Sequence, residues 1–411
     1  MYPFQAWNGN FAILIFLQNF DYTRDYKVAK KYTLPLLEGL NSWWHCYLNR
    51  TIDESAKDGY VYNDQNSFRQ DMEGEDSQIY HNPSGSLSMI ERSLYFHLML
   101  CRLIEIECPE YVKDMYEHLP PYNIVQGVDG YNVFSGWKQS LPETDGGPYS
   151  GNYYIWPSEN LNFFSPHLMD NNNNDPNSLL HISRATLEGS INEIDWLRIN
   201  AVDFFTSFAK TRGGIKYVKQ PQDLLNGFDI FINHFFGENF LCFASGDDYN
   251  KGGFNGGVGT TETIGMMNAV NEVLLSSTPT VEKPYLKPKH KLAEFFVEVF
   301  PYWPLDEYAS YSNLLAKGGH LISAAYNNIT RRVEEPVKIT AKYSAHEYNS
   351  RDNRISILNP WISQGIDAKM IKVNCGKRKE SRKIDIHAGK ILSFDTYVNQ
   401  ECLMTVKNII F

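Results

Sequence analysis

Gly318-Gly319-His320-Leu321-Ile322-Ser323-Ala324-Ala325-Tyr326 and Val337-Lys338-Ile339-Thr340-Ala341-Lys342-Tyr343 decide the fold class. Upstream, apolar residues recur every three or four positions; from here on they come in short alternating runs bounded by turn residues. Arg354-Ile355-Ser356-Ile357-Leu358, Met370-Ile371-Lys372-Val373, Lys383-Ile384-Asp385-Ile386 and Ile391-Leu392-Ser393-Phe394 repeat the pattern. Strands of this length and spacing predict a small C-terminal antiparallel β-sandwich. The period changes after Pro304, which gives expected domains of 1–304 and 305–411.

Working back from that boundary, the reading is mainly α. Tyr26, Ala29, Tyr32, Leu36, Leu37, Leu40, Trp43, Trp44, Tyr47 and Leu48 keep helical spacing, with Pro35 as an expected kink. Phe11 to Leu17 is too densely apolar for a surface helix and suits one packed on both sides. Thr51 to Asn82 reads as a polar loop, followed by Ser84-Gly85-Ser86 and a helix from Ser88 to Glu107. Further helices are expected over Leu179–Leu187, Ile191–Lys210, Leu224–Phe236 and Thr263–Leu275. Helices alternating with elaborate loops predict helical hairpins closed into an (α/α)6 toroid.

Composition narrows the class. With 411 residues, 43% hydrophobic and 21% charged, the chain can bury a large core and a smaller one. A net charge of −10 argues against a nucleic-acid partner, which needs clustered Lys and Arg. No apolar run is long enough to span a bilayer. The six cysteines show neither CxxC nor Cys/His metal spacing, so neither a zinc site nor a disulfide framework is expected, and no cofactor is called for. The 14% aromatic share suits a sugar-binding cleft, where ring faces stack beneath pyranoses.

Three separated segments place polar groups beside Gly, Pro or aromatic residues: Asn8-Gly9-Asn10, Trp156-Pro157-Ser158-Glu159-Asn160 and Asn255-Gly256-Gly257-Val258-Gly259-Thr260-Thr261-Glu262. Glycoside hydrolysis needs an acid for the leaving oxygen and a second group that activates water. Glu159, after an aromatic-proline turn, is the candidate acid, since partly apolar surroundings would keep it protonated near neutral pH. Asn8 and Asn10 would point the same way if locally extended, and two amides could fix a water. Glu262, Asp247 and Asp248 compete for the second carboxylate role, and nothing local separates them.

In this order the three segments resemble glycoside hydrolase family 95, the inverting α-L-fucosidase family of the six-hairpin glycosidase superfamily. Asn271-Glu272-Val273-Leu274-Leu275-Ser276-Ser277, Phe300-Pro301-Tyr302-Trp303-Pro304 and Leu314-Leu315-Ala316-Lys317-Gly318-Gly319 extend the likeness along nearly the whole chain. The resemblance implies Glu159 as general acid, with Asn8 and Asn10 positioning the attacking water. Glu262, Asp247 or Asp248 would supply the carboxylate, and Trp7, Trp156, Asn160, Asp247, Asp248 and Asn255 would bind the sugar. An oligosaccharide or polysaccharide is the implied partner, with a secreted or periplasmic location. The chain departs from the family at Asn255, where an aspartate is usual, and shows no counterpart of the family's N-terminal β-rich domain. A glycan-binding relative without turnover, and a polysaccharide lyase, are the other readings.

Overall fold

The computed structural model describes residues 8–65, 67–68, 79–127, 129–135, 151–156, 158–161, 175–188, 201–235, 242–243, 258–280, 283–286, 292–343, 353–361, 370–376, 382–387 and 391–406. The chain forms helices followed by a multi-stranded, mostly antiparallel β region. Its contacts divide into two compact units, Met1–Leu14 with Leu34–Val270, and Ile15–Thr33 with Asn271–Phe411.

Helices dominate the first unit: α1 (Asn8–Thr23, whose later residues belong to the second unit), α2 (Leu34–Tyr47), α3 (Ser84–Leu103), α4 (Glu110–Glu117), α5 (Leu179–Glu188), α6 (Ala201–Thr211), α7 (Pro221–Phe235) and α8 (Thr260–Leu274, which also ends in the second unit). Nearly every residue of α3 from Ser84 to Cys101 is buried. A helix can be enclosed on every side when small residues let its neighbours approach, and Ser84, Gly85, Ser86, Ser88 and Ser93 do this here. The Ser84-Gly85-Ser86 stretch, expected to lie outside the helix, is therefore its first turn.

Short two-stranded pairs form where no strand was expected. Strands β1 (Asn49–Ile52) and β2 (Tyr60–Asn63) pair antiparallel, as do β3 (Ile124–Gln126) and β4 (Asn132–Phe134). Tyr60 and Tyr62 each donate a hydroxyl to Asp114 on α4, which anchors the first hairpin. The kink expected at Pro35 is taken up just upstream, in a π-helical turn at Ala29–Thr33. Proline lacks an N–H and its ring crowds the carbonyl four residues back, here Lys31, so the preceding turn widens.

The second unit holds β5 (Leu275–Pro279), β6 (Phe295–Val299), β7 (Ala309–Ala316), β8 (His320–Asn327), β9 (Val337–Ala341), β10 (Asn353–Leu358), β11 (Met370–Cys375), β12 (Arg382–His387), β13 (Ile391–Thr396) and β14 (Glu401–Val406). One sheet runs β13-β10-β6-β5 and the other β7-β8-β9-β14-β11-β12, with Arg332–Val333 added beside β8. Both sheets feed one core, including Val297, Ile357 and Leu392 from the first and Ile322, Ile339, Val373 and Met404 from the second. Every second residue of β8 and β9 is buried, as their sequence requires.

Two findings go beyond the sequence reading. The strands of the second unit begin at Leu275, ahead of Pro304, and residues 271–304 cluster with the strands that follow. Cys375 and Cys402 form a disulfide between register partners on β11 and β14, a pairing that linear spacing does not reveal. Among the described residues no helix is long and apolar enough to cross a membrane.

Candidate active site

The turn carrying Glu159 is fixed from both sides. A 3-10 turn, Gly151–Tyr154, leads into it. Ser158 bonds the Tyr153 carbonyl through both its hydroxyl and its N–H, and the Leu161 N–H donates to the Tyr154 carbonyl at 2.8 Å. Tyr154, Ser158 and Leu161 are fully buried. Held between these anchors, Glu159 has a φ of 60°, a left-handed conformation uncommon outside glycine. Strain of that kind persists only where the surroundings over-determine it, and it concentrates at functional sites.

The side chain of Glu159 turns inward. Its Oε1 meets Lys210 Nζ of α6 at 2.9 Å and its Oε2 meets an Arg92 nitrogen of α3 at 3.5 Å, with all three side chains buried. Two adjacent cations favour the charged form of a carboxylate. The surroundings are therefore ionic rather than the partly apolar pocket expected. Lys210 Nζ also lies 5.5 Å from the centroid of the Trp156 ring, which is half-buried beside the same turn.

A second carboxyl completes the group. Glu91, one residue before Arg92 on α3, accepts from Asn160 Nδ2 at 2.8 Å, and the Tyr122 hydroxyl lies 3.4 Å from each of its oxygens. The same Asn160 amide donates to the Ser88 carbonyl at 2.9 Å, one turn earlier on α3. Removal from water pushes the Glu91 carboxyl up to about 7, against the opposing pull of hydrogen bonds from Tyr122 and Asn160. The residue as a whole retains some exposure. Near neutral pH the cluster thus joins a carboxyl poised to give or take a proton with a second one held by cations.

No family model matches this sequence, and no curated protein matches it. Among solved structures the chain is similar to one described as "Putative kojibiose phosphorylase from human microbiome", at 10% identity and a TM-score of 0.41. The likeness covers 98% of this chain and 50% of that one, so this chain spans half the length of that protein. A likeness so distant carries no functional argument.

The other expected residues are placed differently. Asn8 and Asn10 lie in α1 rather than in an extended segment, and residues two apart on a helix do not share a face. Asn8 is exposed. Asn10 is buried, with Oδ1 accepting from Trp44 Nε1 at 2.9 Å and Nδ2 donating to the Met89 carbonyl at 3.0 Å and to Ser93 Oγ at 3.2 Å. Its amide is consumed in joining α1, α2 and α3. Glu262 lies in the first turn of α8. Trp7, Asp247, Asp248 and Asn255 lie outside the described residues. Sequence reasoning missed Glu91 because no motif marks it; its only signal is a carboxylate within the apolar pattern that begins at Ser88.

Proposed function

We propose that this chain is a carbohydrate-active enzyme of the glycoside hydrolase type, inverting and exo-acting, with a fucosidase-like preference. The observation that carries the reading is the unequal pair of Glu91 and Glu159, linked through Asn160 beside the partly exposed Trp156. The order of motifs along the sequence supports the same class. In this reading Glu91 is the general acid that protonates the leaving oxygen. Glu159 is a positioning residue, its turn pinned by Arg92 and Lys210 so that Asn160 meets Glu91. The water-activating carboxylate comes from Glu262, Asp247 or Asp248, as the resemblance implies.

The test is release of L-fucose or L-galactose from aryl glycosides by wild type, Glu91→Gln and Glu159→Gln. Glu91→Gln is expected to lower kcat by about 10²–10⁴-fold and to abolish the loss of kcat/KM as pH rises through about 7. Glu159→Gln is expected to be slower while keeping that alkaline limb. The converse, with Glu159→Gln losing the limb and Glu91→Gln keeping it, returns the acid role to Glu159. Absence of release from every glycoside overturns the hydrolase.

The double ion pair of Glu159 favours a second reading, a glycan-binding relative without turnover. Calorimetric binding of an oligosaccharide with no product formed would establish it.

A further inference from the structure

Towards its C-terminal end, α3 carries a second set of chemically capable groups. His97 and Cys101 are four residues apart and so share one face of the helix. The chain then reverses: Glu105 adopts a φ of 58°, and the Ile106 N–H donates back to the Cys101 carbonyl at 3.0 Å. This left-handed cap folds the connection against the last turn of α3. Cys108 is thereby returned to the neighbourhood of Cys101, just before Pro109 and α4. One nitrogen of His97 and the sulfurs of Cys101 and Cys108 all lie within 4.8 Å of one another.

We propose that His97, Cys101 and Cys108 form a zinc(II) site that ties the end of α3 to the connection preceding α4. The sequence carries no zinc signature because the ligands meet through a helical face and a reversed cap, not through a short Cys–Cys spacing. A tetrahedral zinc with Zn–S near 2.3 Å and Zn–N near 2.0–2.1 Å needs ligand atoms about 3.5–3.8 Å apart, so only a small closure of the present cluster is required. Two sulfurs and an imidazole are the borderline-soft ligands that zinc takes in both structural and catalytic sites. His97 and Cys101 are buried and Cys108 is partly exposed, which leaves one open side for the metal to arrive and for a water as fourth ligand.

The imidazole has a polar partner on α2 that fixes the ring. Its Nδ1 lies 3.1 Å from Asn41 Nδ2 of α2, while its buried Nε2 makes no hydrogen bond of ordinary geometry. A ligating Nε2 must offer its lone pair, so Nδ1 must carry the hydrogen and the Asn41 oxygen must receive it. This requires the Asn41 amide to turn over, giving up the 3.4 Å donation from its Nδ2 to the Ser93 carbonyl. Ser93 Oγ lies 2.9 Å from the Ile90 carbonyl and can give its one hydrogen there, which frees it to accept from the Asn41 NH2.

The thiols are consistent with the same role. Zinc takes both sulfurs as thiolates, so binding releases thiol protons and affinity is expected to rise with pH.

The experiment uses the full chain, reduced, stripped with a chelator, and titrated with zinc(II) against a chromophoric zinc indicator; cobalt(II) serves as the spectroscopic substitute. One zinc per chain is expected, with a thiolate-to-cobalt charge-transfer band and a tetrahedral cobalt spectrum. Cys108→Ser and His97→Gln are each expected to weaken zinc binding by about 100-fold or more. Cys46→Ser, which alters an exposed cysteine outside the cluster, is expected to change nothing. The wild-type cobalt spectrum needs no variant to fold, so it stands as an independent readout. Failure of the wild type to retain zinc overturns the site. So does equal loss in Cys46→Ser and Cys108→Ser, or a Cys101–Cys108 disulfide that persists under reduction.

Discussion

Trp44 donates to the Asn10 side-chain oxygen, and the Asn10 nitrogen donates in turn to the Met89 carbonyl and to Ser93. Removing the amide strands a buried indole N–H, costing about 1–3 kcal/mol, and removes the second donor to a carbonyl that keeps its helical partner in α3. Asn10→Ala is therefore expected to destabilise the first unit by roughly 1–3 kcal/mol in urea unfolding, with activity per folded molecule retained. A loss of turnover without loss of stability would instead give Asn10 the water-holding role that the resemblance implies. The sequence announced the amide but not its partners, since Met89, Ser93 and Trp44 are distant in the chain. Glu159 was legible as a residue to watch, whereas its flanking cations come from α3 and α6 and belong to tertiary structure alone.

At the scale of elements, α3 carries Glu91, Arg92, His97 and Cys101 on one helix, so the candidate active site and the proposed zinc site share a rigid support. Alternation exposed the later strands because one face of each is buried and the other is not. It failed for Phe295-Phe296-Val297-Glu298-Val299, all five buried, because a short, mostly apolar run that does not alternate looks alike as strand or helix segment. The disulfide was equally hidden, since only the antiparallel register of β11 and β14 brings Cys375 opposite Cys402. That bond closes a loop with a sequence separation of 27, for which chain entropy gives about 3–4 kcal/mol. Replacing both cysteines by serine is expected to lower the stability of the second unit by about that amount in denaturant titrations. An unchanged midpoint would show that the β-ladder alone sets the stability there.

Across the whole molecule the two units are expected to respond oppositely to acid. In the first, Glu91 is pushed up from the usual 4.5 to about 7 by burial. Between those values the folded state holds a proton that the unfolded chain has released, so stability falls by up to about 3 kcal/mol as pH rises. In the second, burial and the nearby Arg24 charge bring His320 down from 6.5 to about 4, against a backbone hydrogen bond at Gly318. Here the unfolded chain binds a proton that the native imidazole refuses, and about 3 kcal/mol is lost as pH falls between those two values. Scanning calorimetry at pH values rising from about 4.5 to about 6.5 should therefore show the first unit's transition moving down in temperature and the second's moving up. Glu91→Gln should flatten the first trend alone, because its amide cannot titrate. His320→Gln should flatten only the second. If Glu91→Gln leaves the first unit's pH slope intact, its carboxyl is already ionised below neutrality, and the proton donor of the proposed hydrolase must be sought elsewhere.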